Sequence, residues 1–161
     1  MPEPTRYYPR LEGRSAIVTG AGTEGGGVGT GRAIAMVLAG EGATVCLVDR
    51  DAASAEMTRQ QIAAAGGSAF VVTGDVTINA DCRRFVEETV ARTGRLDILV
   101  NNVGISTPVA LDEADESGWT RVLDINLMSA MLMCRHSVPA MKAAGGGAIV
   151  NISSIAGIRA H

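Results

Sequence analysis

"TGAGTEGGGVGTGRAIA", residues 19–35, is the stretch whose reading decides the fold. Seven glycines carry the chain out of the β-rich run "RSAIVTG" (14–20) and into "GRAIAMVLAGEG" (31–42), which sets Ile34, Val37 and Leu38 on one helical face. Backbone amides gather where such a turn enters a helix, and there the unpaired N–H groups and the helix dipole favour an anion. Gly20-Ala21-Gly22-Thr23-Glu24-Gly25 satisfies G-x-G-x-x-G, a weak match alone, and the helix cannot begin until after Gly29 or Gly31. The strand–turn–helix context is what favours a bound diphosphate over an unoccupied glycine loop.

Outward from this turn, strand-like and helix-like runs alternate. "ATVCLVD" (43–49), "SAFVVTGD" (68–75), "RLDILVNN" (95–102) and residues 147–153 read as strands. Helical patterns fill 51–65, 80–94 (apolar at Cys82, Phe85, Val86 and Val90) and Trp119 to Ala144, with Pro139 expected to kink or end the last. Continuous apolar strands separated by helices imply a parallel sheet covered on both faces. Right-handed crossovers make it a doubly wound α/β domain whose ligand crevice lies beyond the strand C-termini. Residues 13–161 form that single domain, after an N-terminal extension, 1–12.

Asp49 closes the second strand. A carboxylate there accepts hydrogen bonds from both hydroxyls of an adenine ribose and repels a 2′-phosphate, which favours NAD over NADP. Arg50 follows and softens that exclusion by pairing with such a phosphate; a solvated Asp-Arg-Asp turn is the plainer reading. With 47% apolar and 19% charged residues and a net charge of −3, the composition is that of a soluble globular protein with no basic surface for nucleic acid. No apolar run reaches the ~18 residues of a membrane span, and the N-terminus does not read as a signal peptide. Cys46, Cys82 and Cys134 are odd in number and unpaired in spacing, as expected of reduced cytoplasmic thiols, and no metal site is expected.

With "LVNNVG" (99–104) and "IVNISSIAG" (149–157) added, the chain resembles the short-chain dehydrogenase/reductase family, classical type, from about Gly13 to His161. Thr19-Gly20…Gly29-Thr30-Gly31 resembles its T-G-x-x-x-G-x-G turn, and Gly74-Asp75-Val76 its adenine contact. Asn101-Asn102-Val103-Gly104 stands where the family has N-N-A-G bordering the cofactor. Asn126 resembles the catalytic helix asparagine, and Ser154 the catalytic serine. The resemblance implies a Rossmann fold and hydride transfer between NAD(H) and a small alcohol or carbonyl substrate. It also implies a homodimer or homotetramer, the apolar 119–141 helix packing against a partner subunit; a deep monomer core is the other reading of that helix.

Two departures qualify the resemblance. Six residues, Thr23 to Val28, separate Gly22 from Gly29, five more than the family's turn carries. The family's base is a tyrosine in Y-x-x-x-K about a dozen residues beyond the serine, and no tyrosine follows Ser154 here. The expectation is therefore the C-terminally incomplete, N-terminal part of an oxidoreductase, able by itself to bind nucleotide without turnover. The other reading is a nucleotide-binding or regulatory protein without catalysis. His136 and His161 are poor substitutes for the base. Asp97 opens its strand at the wrong end, and Tyr7 and Tyr8 lack the following lysine.

Overall fold

The computed structural model describes residues 10–23, 27–106 and 113–155. Tyr7, Tyr8, His161 and part of the long glycine turn lie outside them. Five parallel strands are hydrogen-bonded in the order β3-β2-β1-β4-β5. They are β1 (Ser15–Thr19), β2 (Thr44–Asp49), β3 (Ser68–Thr73), β4 (Ile98–Asn101) and β5 (Ala148–Asn151). The order runs outward in both directions from β1, so the chain reverses at the β1/β4 junction, where a doubly wound sheet opens its crevice.

Alternation along each central strand builds two cores. Ala16 and Val18 of β1, with Val45 and Leu47 of β2, pack beneath α1 (Thr30–Gly40) and α2 (Ala52–Ala64). Ile17, Cys46, Val48 and Leu99 point the other way. They pack on α3 (Asn79–Thr93), through Cys82, Phe85 and Val86, and on α5 (Ser129–Ala143), through Leu132, Met133 and Met141. Burial pushes the Cys46 thiol up to about 12 and the Cys82 thiol to about 11, so both serve as small apolar packing groups.

Local chemistry sets the helix limits. The Asp51 carboxylate accepts from the amides of Ala53 and Ser54 and caps α2, and Gly94, at φ +77°, closes α3 in the left-handed region. At the N-terminal edge of the sheet, Asp97 accepts from the Ser15 amide, Arg14 and Arg95.

Two expectations needed correction. Helix α1 turns Gly31, Arg32, Ala35 and Ala39 inward, so Val37 is exposed while Ile34 and Leu38 are half-buried. Three small residues, Gly31, Ala35 and Ala39, let the helix lie close to the sheet, and close approach outweighed bulk. The long helix is three pieces: α4 (Glu116–Leu123), a π-helical turn (Asp124–Met128) and α5, which runs through Pro139 to Ala143. The Ser129 amide reaches back five residues to the Asp124 carbonyl, the signature of that widened turn.

Candidate functional site

A cleft of about 370 Å³ opens at the β1/β4 junction, beyond the strand C-termini. Gly20, Gly22 and Thr23 of the glycine turn line it with Asp49 at the end of β2, Arg50 just after it, Asp75 and Val76 after β3, and Asn102, Val103 and Gly104 after β4.

Asn102 ties the junction together. Its amide donates to Thr19 Oγ1 (3.0 Å), and its side-chain Nδ2 donates to the carbonyls of Thr19 (3.0 Å) and Gly20 (3.1 Å). Helix α1 begins against this knot. A Cβ on Gly31 would lie 2.0 Å from the Gly20 carbonyl oxygen and 2.5 Å from Asn102 Nδ2, so only glycine brings the helix start this near. Gly29, Thr30 and Gly31 thus shape the turn from behind the cleft wall rather than lining it. The Gly29 amide donates to Thr23 Oγ1 (3.0 Å), which closes the long turn across its base.

Asp49, expected as a ribose ligand, has a structural task in the turn. Its Oδ2 accepts from the Gly22 amide at 2.8 Å, and Oδ1 from the Asp51 amide at 3.0 Å. The carboxylate stands at the cleft already oriented by the turn whose ligand it would share. Asp75 is held likewise: Oδ1 accepts from the amide and hydroxyl of Thr77, and Oδ2 takes no hydrogen bond among the described residues. The Asp75 amide in turn donates to Asp81, whose carboxyl is lowered by that bond and by Arg84. A Cβ on Gly74 would meet the side-chain ends of Asp81, Phe85 and Arg84 at 2.7–2.8 Å, so a larger residue there would displace the groups that hold the Asp75 amide.

Neither expected catalytic residue is part of the cleft lining, although Asn126 abuts the lining residues Gly104 and Ile105. Asn126 sits inside the π-helical turn and is committed to the backbone of Ile105, accepting from its amide and donating to its carbonyl, both at 2.8 Å. It fastens the helix to the exit of β4. Ser154 follows the end of β5 by three residues, on the same side of the sheet as the cleft mouth. Asn101 Nδ2 donates to Asn151 Oδ1 (2.8 Å) and ties β4 to β5 just before that serine. His136 reaches Asn79, far from the serine segment along the chain, and has no place in this constellation.

Sequence reading missed Arg32, Ser54, Thr58 and Thr77, all of which position cleft residues. Ser54 and Thr58 stand four apart on the inner face of α2, a spacing that aims both hydroxyls at one neighbour. Among the described residues no cluster of three or more His, Cys, Asp or Glu could hold a metal ion, and no helix is long and apolar enough to cross a membrane.

Comparison with known proteins agrees with this geometry. The profile of the short chain dehydrogenase family matches residues 14–161, and the chain belongs to that family. A short-chain dehydrogenase/reductase structure from Burkholderia xenovorans is 52% identical, with a TM-score of 0.91 over 94% of this chain and 60% of its own. A 7α-hydroxysteroid dehydrogenase solved with NADH and 7-oxo glycochenodeoxycholic acid is 32% identical, with a TM-score of 0.87 over 96% of this chain and 58% of its own. A metagenomic short-chain oxidoreductase solved with NADP is 36% identical, with a TM-score of 0.84 over 94% of this chain and 66% of its own. The chain spans 52–58% of the length of curated relatives it matches, among them a cyclohexanol dehydrogenase of Acinetobacter sp. (strain SE19), 36% identical over 92% of this chain and 58% of its own length.

Proposed function

We propose that the whole protein is an oxidoreductase that interconverts a secondary alcohol and a ketone with a nicotinamide dinucleotide, NAD in preference to NADP. The observation that carries this reading is the convergence of the glycine turn, Asp49 and the Asp75–Val76 segment on one cleft at the β1/β4 junction. Asp49 would take the adenine ribose, Asp75 Oδ2 the ring amine and Val76 the ring face. Gly20, Gly22, Gly29, Thr30 and Gly31 would shape the turn that receives the diphosphate, and Asn102, Val103 and Gly104 would border the nicotinamide half. The neighbours solved with NADH and with NADP support a nucleotide of this class. The bound cofactor supplies a hydride acceptor or donor.

Ser154 would donate a hydrogen bond to the substrate oxygen as that oxygen changes charge. Asn126 keeps its side chain on Ile105, so a water held near it would meet the widened main chain of the π-helical turn rather than the amide. The exposed apolar face of α4 and α5 favours assembly with a second copy, and the composition favours a cytoplasmic protein.

Calorimetric titration of the whole protein tests the cofactor assignment. NAD binds about tenfold or more tightly than NADP, the scale of one charge-assisted hydrogen bond, and Asp49→Ala narrows the gap. Equal affinities in the parent protein would defeat the NAD preference.

A further inference from the structure

Arg32 is the largest fully buried side chain among the described residues, at 1% exposure. Arginine is seldom buried so completely without an acidic partner, and no described carboxylate pairs with this one. Its fork instead spans three neutral oxygens on two separate segments. Nη1 donates to the Gly27 carbonyl (2.8 Å), Nε to Thr58 Oγ1 (3.0 Å) and Nη2 to the Ser54 carbonyl (3.5 Å). Thr58 passes the contact on by donating to the Ala21 carbonyl at 2.8 Å. Ser54 Oγ both accepts from the Thr23 amide and donates to the Thr23 carbonyl.

These bonds hold the two ends of the lengthened turn, Ala21–Thr23 before it and Gly27–Gly29 after it. We infer that Arg32 is a positioning residue for the cofactor diphosphate. It clamps the two described arms of the turn onto α2, so the amides of those arms are oriented before any ligand arrives, and its charge meets no carboxylate partner among the described residues. The clamp fixes the spacing of the two arms that flank the lengthened part of the turn: a planar fork reaches several oxygens at once, as a lysine ammonium on a flexible stem does not. Preorganisation of this kind raises affinity by removing the ordering cost from the binding step. The inference rests on the nucleotide reading above.

The test compares ADP-ribose with adenosine as probes, titrated by NMR into the whole protein and its variants, each first checked for a cooperative thermal transition. Adenosine needs only the Asp49 and Asp75–Val76 side of the cleft, whereas ADP-ribose also needs the turn. Arg32→Met weakens ADP-ribose about tenfold or more, the scale of a charge-assisted hydrogen bond, and leaves adenosine unchanged. Arg32→Lys, which keeps the charge and loses the fork, recovers only part of the loss. If Arg32→Met does not fold, Thr58→Val supplies the answer: it keeps the charge, cuts the relay to Ala21, and weakens ADP-ribose selectively by a few-fold. Unchanged ADP-ribose binding in a folded variant, or an equal loss of both probes, overturns the clamp. A parent protein that binds neither probe overturns the nucleotide reading itself, and the clamp with it.

Discussion

Two glycines show how residue-scale constraints of different origin can be told apart. Gly31 is fixed by contact, since any Cβ there would sit 2.0 Å from the Gly20 carbonyl oxygen. Gly13 has φ +73° and nothing within 4 Å of its Cβ position, so its only constraint is the backbone. Gly13→Ala should therefore cost about 1 kcal/mol, the ordinary penalty of a left-handed L-residue. Gly31→Ala should cost about 3 kcal/mol or more, because α1 must shift off the sheet to relieve the overlap. Denaturant titration of both variants measures the difference, and a Gly31→Ala protein as stable as Gly13→Ala would show that the start of α1 is free to move. The same scale explains what sequence left hidden at Asp49. Its place at the end of a strand makes it a candidate ribose ligand, but its hold on the Gly22 amide depends on the path of the turn, which spacing alone does not reveal.

At the scale of elements, the strands were legible as short continuous apolar runs and the helices because their apolar residues recur at a period near 3.6. The five strands and the helices through α3 fall within a few residues of their sequence positions. What sequence concealed was the interior of the long helix. A π-helical turn adds one residue to a ring without disturbing the composition around it, and Pro139 sits within a helix that continues past it. Arg32 was hidden for a related reason, because a cation next to a glycine turn reads as solvated until α2 is seen to cover it.

The N-terminal edge of the sheet supplies an element-scale prediction. Burial opposes the charged form of Asp97, but the Arg95 fork, the Ser15 amide and Arg14 outweigh it and lower the carboxyl from 3.8 to about 2. A depressed folded-state value means that stability is present above the unfolded value and lost as pH falls through the folded one. Asp97 thus stabilises the junction of β1 and β4 fully above roughly pH 4 and loses its effect towards about pH 2. Asp97→Asn should lower stability at pH 7 by about 2 kcal/mol and flatten the fall in stability over that acid window. Denaturation curves at a series of pH values check both; a variant that keeps the parent's acid profile would place the titrating group elsewhere.

For the whole molecule, the decisive feature is the surface that the fold leaves apolar. Trp119, Leu123, Leu127 and Met131 recur every four residues along α4, the π-helical turn and α5, and all are exposed, Leu127 at 61% and Trp119 at 51%. The sequence signalled this helix as apolar on more than one face. Leu132, Met133 and Met141 of the opposite face account for the side turned to the core. The exposed stripe has no such partner among the described residues, and a contiguous apolar strip on a helix is the kind of surface that a second copy covers. Leu127 is the sharpest probe because it projects furthest and touches no core cluster. Leu127→Glu in the whole protein should leave each protomer folded, with a cooperative thermal transition lowered only by the stability that assembly contributes. It should nonetheless shift the sedimentation coefficient from an assembled species towards a single protomer, since a carboxylate buried without a partner at an interface costs several kcal/mol. Sedimentation velocity over a hundredfold concentration range reads this directly. A parent protein that sediments as a monomer throughout, or a Leu127→Glu protein that assembles as the parent does, would remove this helix face from the interface.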